Sequence, residues 1–383
     1  MPMQPITDDP RSAYTAAQIT NLLQGTTDVF LSAGLELVYL DLTVFDDISD
    51  DLLGGSVTRN SYADLHAGGN LQLARPLEWG SALVRPYLVI ANGSGSVTAR
   101  FNMGVYHTST PTLSTAQSPP VFDVEIYDIL LRLNQPVGDA FAIAAGESIL
   151  GKVEQILVAR GYVSYIIDPV SYGILAPTSR TWAFDDSITW MSIVNDLLSS
   201  VGYAGIWSDW NGRLRCEPYI LPADRSVEWT YTDDVATTML GPERVVERDY
   251  FNAPNRWVFY LTNVADGVAP VEGNGIYTVE NQSRGETSID QRGGLVITKP
   301  LGIDAADQAS LIVQGNAVVQ SDMSIPTVIT TSTFVNPLHW HFDRLYIKDS
   351  GSIGYADVQC TEWTINLPPA NDLMEQTWRA VSL

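Results

Sequence analysis

The spacing of hydrophobic residues changes twice along this chain, and these two changes constrain the fold more than any single motif. Strand-like alternation and short apolar runs fill residues 29–140, helical spacing marks 141–222, and strand-like runs return from 223. Strands repeat every second residue and helices every 3.6. The sequence therefore predicts a mainly β chain with an α+β insert. Its predicted parts are an N-terminal arm (1–28), a β domain (29–140), a middle module (141–222) and a second β domain with one helix (223–383).

The first β part consists of short strands separated by turn signals. Residues 35–41 read as a strand buried on both faces, and residues 70–74 alternate as a half-exposed strand does. The apolar run 83–91 and residues 97–106 predict one hairpin, with Gly93-Ser94-Gly95 at its tip. Short strands joined in this way are typical of a small barrel or sandwich.

The middle module combines two amphipathic helices with a hairpin. One helix is predicted to follow Glu147-Ser148 and to end at Gly161, and a second to follow Asp186-Ser187 and to end at Gly202. Asn211-Gly212 then separates two alternating runs, 206–210 and 213–216. Asn-Gly in this position predicts a tight hairpin in which both central residues have positive φ.

The last part returns to strands, with one helix between them. The helix is predicted to start after Asp304, to extend to about residue 320 and to be excluded beyond Pro326. The predicted strands of this part are 257–261, 275–279, 328–334, 338–347 and 358–367.

The charge balance argues against a protein that grips nucleic acid. The 383 residues include 21 Lys and Arg against 44 Asp and Glu, which gives a net charge of −23. Nucleic-acid binders normally carry a basic patch that releases counterions. The composition, 45% hydrophobic and 17% charged, also excludes a disordered chain or a coiled coil.

Cys216 and Cys360 are too few for a disulfide framework or a four-cysteine zinc site.

Export and membrane signals are not visible in the sequence. The N-terminal residues lack a basic segment followed by an apolar core, and the apolar runs 87–91 and 140–145 are too short to span a membrane. We expect a chain made in a cytoplasm and kept there until it is assembled, with no membrane anchor.

Motifs that carry chemistry are almost absent. The sequence contains no nucleophile elbow and no glycine-rich phosphate loop. His339 and His341 would share one face of a predicted strand, but a metal site needs further ligands, so a packed or solvated pair is favoured. The acidic run 46–51 departs from the calcium-loop pattern. Trp207, Trp257 and Trp363 lie in apolar runs, which favours core packing over sugar stacking. We assign no catalytic, cofactor-binding or metal-binding residue and expect no enzymatic activity.

A series of short motifs, in a fixed order, resembles the minor tail proteins of siphophages that infect actinobacteria. The motifs lie at residues 53–62, 71–73, 77–80, 85–87, 99–106, 127–130, 136–139, 202–219, 252–257 and 283–293. The resemblance extends from about residue 28 to 380.

This resemblance implies a tail hub, akin to the baseplate hub of contractile-tailed phages and to the spike-protein base of type VI secretion. It implies two small β-barrel hub domains in each subunit, flanking the helix-containing middle module. Three subunits would form a ring that matches the sixfold tail tube to a threefold tip and leaves a channel for DNA during genome ejection. The implied partners are two further copies, a distal tail protein or tube ring, the tape-measure protein and other tip or fibre proteins.

Two other functions remain open at this point. The first is a receptor- or carbohydrate-binding protein at the tail tip, which would use exposed aromatic side chains on a β scaffold. The second is a cell-wall hydrolase, because 44 carboxylates always leave room for an acid/base pair. The fold alone does not separate these functions.

Overall fold

The computed structural model describes residues 15–24, 28–76, 82–95, 98–115, 120–138, 140–182, 188–234, 240–248, 251–262, 271–303, 308–323, 327–351, 353–369 and 373–381. The described structure is mainly strand (46%) with little helix (16%), which confirms the mainly β class. The part of the predicted arm that the structure describes contains a short helix, α1 (Ala16–Leu23), whose N-terminus is capped by Thr15. The hydrophobic pattern had not predicted this helix. The motif at 77–80 lies outside the described residues.

Nine strands of the described residues follow α1, and they include the predicted hairpin. Its two strands, Leu83–Asn92 and Thr98–Asn102, pair antiparallel around the glycine-containing tip, while residues 96 and 97 lie outside the described part. The strands are β1 (Val29–Val38), β2 (Val44–Asp47), β3 (Leu52–Asn60), β4 (Ala67–Leu73), β5 (Leu83–Asn92), β6 (Thr98–Asn102), β7 (Tyr106–Thr108), β8 (Thr112–Ser114) and β9 (Val121–Asp128).

The middle module contains both predicted helices. Ser148 caps the first and Gly161 follows it with φ of 82°. Thr189 caps the second, so it starts later than predicted; residues 186 and 187 lie outside the described part. The elements are β10 (Phe141–Ile143), α2 (Ile149–Ala159), β11 (Tyr165–Ile167), β12 (Arg180–Trp182), α3 (Trp190–Ser200), β13 (Trp207–Ser208) and β14 (Leu214–Cys216).

The predicted Asn-Gly hairpin joins β13 to β14, but its turn differs from the prediction. Gly212 has a φ of 85°, whereas Asn211 is not among the residues with positive φ. The side chain of Asp209 accepts hydrogen bonds from the backbone N–H groups of Asn211 and Arg213, at 3.0 and 2.9 Å. This side-chain cap holds the turn in a conformation that needs one left-handed residue rather than two.

In the C-terminal part, the described residues form ten strands and one α-helix. The predicted strand at 338–347 is wrong over its first six residues, because residues 338–343 form a turn and a loop. Asp304 and Pro326, predicted to bound the helix, lie outside the described residues. The elements are β15 (Trp229–Thr232), β16 (Leu240–Arg248), β17 (Arg256–Leu261), β18 (Val271–Glu272), β19 (Gly275–Glu280), β20 (Thr298–Ile303), α4 (Gln308–Met323), β21 (Thr327–Phe334), β22 (Arg344–Lys348), β23 (Tyr355–Asn366) and β24 (Leu373–Ala380).

The chain divides into two compact units, 1–244 with 330–378, and 245–329 with 379–383. A 15-stranded sheet has the strand order β16, β21, β24, β23, β3, β4, β9, β7, β5, β1, β2, with four further strands beside this path. Among the described strands, β16 and β2 at the two ends are not paired with each other, so the sheet is open and forms no closed barrel. The three-part domain division at 29, 141 and 223 stays a prediction.

Each unit has its own hydrophobic core. In the first unit, the buried faces of α2 and α3 pack with side chains of the sheet, Val38 and Leu83 among them. In the second unit, α4 packs on a four-stranded sheet through Leu311, against Trp257 and Phe259. Trp207, Trp257 and Trp363 are all buried, as predicted for core tryptophans.

Candidate functional site

Four adjacent antiparallel strands of the first unit, β23, β3, β4 and β9, carry apolar side chains on one face and polar side chains on the other. Residues that pair directly across antiparallel strands point to the same face. The apolar face is buried, for example at Val57, Leu71 and Ile126. We call the opposite side the polar face; it consists of Glu362, Thr364, Asn366, Ser56, Thr58, Asn60, Asn70, Gln72, Asp123, Glu125 and Tyr127.

The side chains of the polar face bind one another across the strands. The hydroxyls of Thr58 and Thr364 lie 2.9 Å apart, although the two residues are 306 positions apart in sequence. Ser56 donates to Asn70 at 2.8 Å, and the Gln72 amide donates to Asp123 at 3.0 Å. These bonds hold neutral and acidic groups in fixed positions on the sheet.

The charge of the polar face is entirely negative. Glu362, Asp123 and Glu125 supply carboxylates, and none of its eleven members is Lys or Arg. A polyanion that passes such a surface finds no cation to pair with and releases no counterions. The surface can therefore form hydrogen bonds with water and face a polyanion without retaining it.

Two glycines let β3 and β4 approach closely beneath the polar face. Gly55 and Gly69 have φ of 150° and 154°. A Cβ on Gly69 would overlap the carbonyl oxygen of Ser56, and a Cβ on Gly55 would overlap that of Asn70. Only glycine fits both positions without moving the neighbouring strand.

A row of buried side chains crosses the opposite face of the same strands. Arg59 of β3 pairs with Trp363 of β23 and with Ala67 of β4, and Asp128 of β9 pairs with Tyr106 of β7. Burial lowers the pKa of Arg59, and the charge of Asp128 opposes that change. Burial also raises the pKa of Asp128, against the influence of Arg59. The row thus contains a cation and a carboxylate that stabilise each other's charged form across one small side chain.

The middle module contributes to this buried cluster. Ser208 donates its hydroxyl to Asp128 at 3.0 Å, and the indole N–H of Trp340 donates to the Ser208 carbonyl at 2.7 Å. The guanidinium of Arg59 lies 4.5 Å from the centre of the Trp340 ring. These contacts tie the β13 hairpin to the sheet.

The predicted strand would have placed His339 and His341 on one face. In the structure their rings contact different side chains. His339 lies in the loop with its Nε2 at 2.6 Å from the Tyr231 hydroxyl. His341 stacks on Trp207, and its Nδ1 lies 3.3 Å from the guanidinium of Arg59. Burial, with the charges of His66 and Arg59, lowers the pKa of His341 well below its usual value. The two rings are packed parts of the core.

Two side chains explain why residues 338–343 leave the strand conformation. Asn336 accepts a hydrogen bond from the Leu338 N–H at 3.1 Å, and Asp343 accepts one from the Trp340 N–H at 2.6 Å. Phe342 has a φ of 56°. Local side-chain acceptors of this kind compete with the strand ladder.

A carboxyl pair beside this loop leads to a pH prediction. Burial, together with the charge of Asp343, raises the pKa of the Glu228 carboxyl. The folded chain therefore binds the proton of the Glu228 carboxyl more tightly than the unfolded chain does. As a result, the free energy of unfolding falls as the pH rises above the pKa that this carboxyl has in the unfolded chain. We expect Glu228→Gln to remove this loss, so that the variant gains stability relative to the parent between pH 4 and pH 8 in urea unfolding. If the difference in unfolding free energy between the variant and the parent stays constant across that range, the prediction is wrong. The substitution Glu125→Gln, at an exposed carboxylate, serves as the control.

The acidic run 46–51 is occupied by local contacts. Asp47 accepts hydrogen bonds from the backbone N–H and the hydroxyl of Ser49, at 3.0 and 2.5 Å. Arg75 pairs with Asp51 at 2.5 Å. Across the described ranges, no three His, Cys, Asp or Glu side chains are grouped so that they could hold a metal ion.

Sequence reasoning missed the polar face as a unit. The alternation at 70–74 indicated that Asn70 and Gln72 share one face, but nothing local indicated which strands lie beside them. It also missed Asp209, although an aspartate two residues before Asn-Gly is a recognisable turn signal. In the part of the chain that the structure describes, no helix is long and apolar enough to cross a membrane.

Comparisons with known proteins identify the fold. No protein-family model and no curated protein matches the sequence. The tail protein of Neisseria meningitidis MC58 is similar in structure, with a TM-score of 0.64 and 10% identity over 91% of this chain and 96% of that one. The 43 kDa tail protein of prophage MuSo2 from Shewanella oneidensis has a TM-score of 0.61 and 10% identity, over 91% and 98%.

A chain in the Francisella PdpA–VgrG complex is also similar, with a TM-score of 0.55 and 8% identity, over 92% of this chain and 58% of that one. Identities this low establish the fold rather than the activity. The similarity extends over nearly the whole length of this chain and of the two tail proteins. The chain therefore has the fold of phage tail proteins, as the resemblance in its sequence predicted.

Proposed function

We propose that this chain is a structural protein of a phage tail, a hub at the distal tip without enzymatic activity. The observation that carries the proposal is the end-to-end structural similarity to the Neisseria and Shewanella tail proteins. Two compact units that each have their own core are compatible with a subunit that contributes two domains to a ring. In the virion, the chain would lie at the tail tip after synthesis in the host cytoplasm.

The proposed assembly is a ring of three copies that matches a sixfold tail tube to a threefold tip. Head-to-tail contacts with threefold closure are an ordinary way to build a ring. The open sheet supports this arrangement, because β2 and β16 each have a paired neighbour on one side in the described structure. Unpaired strand edges invite aggregation unless another chain covers them. Neighbouring subunits would provide that cover.

In this assembly the polar face would line the channel for DNA. Its carboxylates repel phosphates, and its hydroxyl and amide groups bind water. DNA would then pass without specific binding during genome ejection. A channel lined by Lys and Arg in an atomic structure of the ring would contradict this assignment.

The proposed partners are two further copies, a distal tail protein or tail-tube ring, the tape-measure protein, and other tip or fibre proteins. A similar chain in the Francisella structure belongs to a complex of PdpA and VgrG. That complex supports the expectation that a chain with this fold works within a larger assembly.

Copy number in the virion tests the proposed function directly. We expect about three copies of this chain per particle, as threefold closure requires. Quantitative peptide mass spectrometry of purified particles, calibrated against the tail-tube protein, measures it. Many dozens of copies would identify a tube or fibre subunit instead, and absence from the particles would reject the virion assignment.

A further inference from the structure

The middle module presents exposed apolar side chains on two neighbouring segments, 166–175 and 219–221. We call them the apolar patch and define it by six exposed residues: Ile166, Val170, Tyr172, Leu175, Tyr219 and Leu221. Val170 is 74% exposed, Tyr219 56% and Leu175 53%. Single exposed apolar residues are normal on protein surfaces, whereas large groups of them mark interaction sites.

Hydrogen bonds to Tyr203 bring the two segments of the patch together. The Tyr203 hydroxyl donates to the Asp168 carbonyl at 2.7 Å and accepts from the Ser171 N–H at 3.2 Å, which fixes the first segment. On the other side, Tyr203 bridges to Pro218 in an antiparallel pair, and the Tyr219 N–H donates to the Gly202 carbonyl at 3.0 Å. The patch is therefore built on a fixed backbone and needs no rearrangement to present its side chains.

The edge of the patch is acidic. Glu154 accepts hydrogen bonds from the hydroxyls of Tyr165, at 3.0 Å, and Tyr172. Asp168 caps the turn that presents Val170, through the Val170 N–H at 2.9 Å. Glu217 lies on the segment that leads to Tyr219, and burial raises the pKa of its carboxyl.

The basic side chains nearest this edge are engaged elsewhere. Lys152 pairs with Glu147 at 3.1 Å. Arg215 pairs with the buried carboxylate of Asp209 at 2.9 Å, and its other nitrogen is 3.6 Å from Glu217. Arg225, whose charge also acts on Glu217, donates to the carbonyls of His341 and Phe342. Among the described residues, no Lys or Arg side chain forms an ion pair with Glu154 or Asp168.

This charge pattern selects the occupant of the patch. Two copies that met through the same face would bring their acidic edges together, and like charges that face each other across an interface oppose binding. Other surfaces of a second copy are also acidic on average, because the chain carries 44 carboxylates and 21 basic residues. The complementary occupant has apolar side chains for the centre and basic ones for the edge.

We propose that the apolar patch is the docking site for a different virion protein, bound through a segment in which lysine flanks apolar side chains. The proposal rests on the proposed function in one respect, that the chain belongs to a virion. Apolar side chains of the segment would cover Val170, Leu175 and Tyr219, and its basic groups would pair with Glu154 and Asp168.

Zero-length coupling in intact particles tests this docking directly. A carbodiimide joins a carboxylate to a lysine amine only where the two groups touch. Mass spectrometry of the coupled peptides should show Glu154, Asp168 or Glu217 joined to a lysine of another virion protein, beside apolar residues. This chain contains only three lysines, Lys152, Lys299 and Lys348, so coupling to a second copy is easily recognised.

Variants of the patch provide the matched comparison. We expect Val170→Asp with Leu175→Asp to lower the coupled yield at least about tenfold, since buried apolar anchors dominate interface energies. Leu295→Asp, at a leucine that is 51% exposed in the other unit, should leave the yield unchanged. Both variants change exposed positions, so the chain should still fold and enter particles.

Three results would overturn the proposal: coupling of the edge carboxylates to lysines of a second copy, no coupling at all, or coupling that the patch variant does not reduce. If the patch variant leaves the coupling unchanged but weakens adsorption of the particles to cells, the patch contacts the cell surface instead. If the chain is present at the expected copy number but its edge carboxylates are not coupled, only this inference is rejected. If the chain is absent from the particles, the proposed function is rejected as well.

Discussion

Replacement of Asp209 by alanine is expected to lower the free energy of unfolding by about 2–3 kcal/mol, because buried backbone donors lose their acceptor, whereas the arginines that pair with it are partly exposed and stay hydrated. The carboxylate is completely buried. It accepts hydrogen bonds from the N–H groups of Asn211 and Arg213 and from the guanidinium of Arg215, at 2.9 to 3.1 Å. Alanine leaves the backbone donors without that acceptor inside the module, where water cannot replace it freely.

Urea unfolding followed by tryptophan fluorescence measures this effect, because Trp207 and Trp210 flank the substituted residue. Asp41→Ala is the matched control. Asp41 also holds a turn, through the Thr43 N–H and hydroxyl at 3.0 and 2.6 Å, but it is exposed. Its loss should destabilise the chain much less, because water replaces the lost contacts at an exposed site. Equal effects of the two substitutions would show that burial of Asp209 contributes nothing.

Replacement of Gly69 by alanine is the second large expected effect, a loss of about 3 kcal/mol or more. A left-handed or similarly rare φ costs a non-glycine residue about 1–3 kcal/mol. At Gly69, where φ is 154°, the added Cβ also overlaps the backbone oxygen of Ser56. Backbone cannot rotate away as a side chain can, so β3 and β4 must separate. The measurement is the midpoint of thermal or urea unfolding.

Gly68→Ala supplies the control for this position in the same strand. A Cβ at Gly68 would lie 3.1 Å from the Ile126 carbonyl oxygen, which requires a shift of only a few tenths of an ångström. We expect a loss of about 1 kcal/mol, the general cost of tighter packing. If both variants unfold at the same midpoint, close approach of the two strands is not what requires glycine at Gly69.

Features determined by neighbouring residues were predictable from the sequence. Ser148 and Gly161 bound α2 as capping rules require, and the glycine-containing tip joins β5 to β6 as predicted. Both depend on side chains within a few positions of the element that they end. Residues 338–343 were wrongly predicted to be a strand because they include apolar residues of the kind found in strands. In the structure, the side-chain oxygens of Asn336 and Asp343 accept backbone hydrogen bonds that hold these residues in a turn.

The candidate site could be predicted only in fragments. Alternation showed that Asn70 and Gln72 share a face, but the polar face exists because β23 pairs with β3 and β4 with β9. Thr58 and Thr364 illustrate the difficulty, since no pattern near either residue indicates the other. The same holds for Arg59, whose burial depends on a row of partners from four other strands.

The pairing of β3 with β23 also has a consequence for how the chain is made. About 300 residues separate the two strands, so the edge of β3 stays uncovered until the ribosome has released residue 366. At a synthesis rate of roughly 5–20 residues per second, that interval is about 15–60 s. During this time the nascent chain exposes an open strand edge, the kind of surface on which chains aggregate and to which chaperones bind. The sheet that organises the first unit is thus among the last parts of the molecule to be completed.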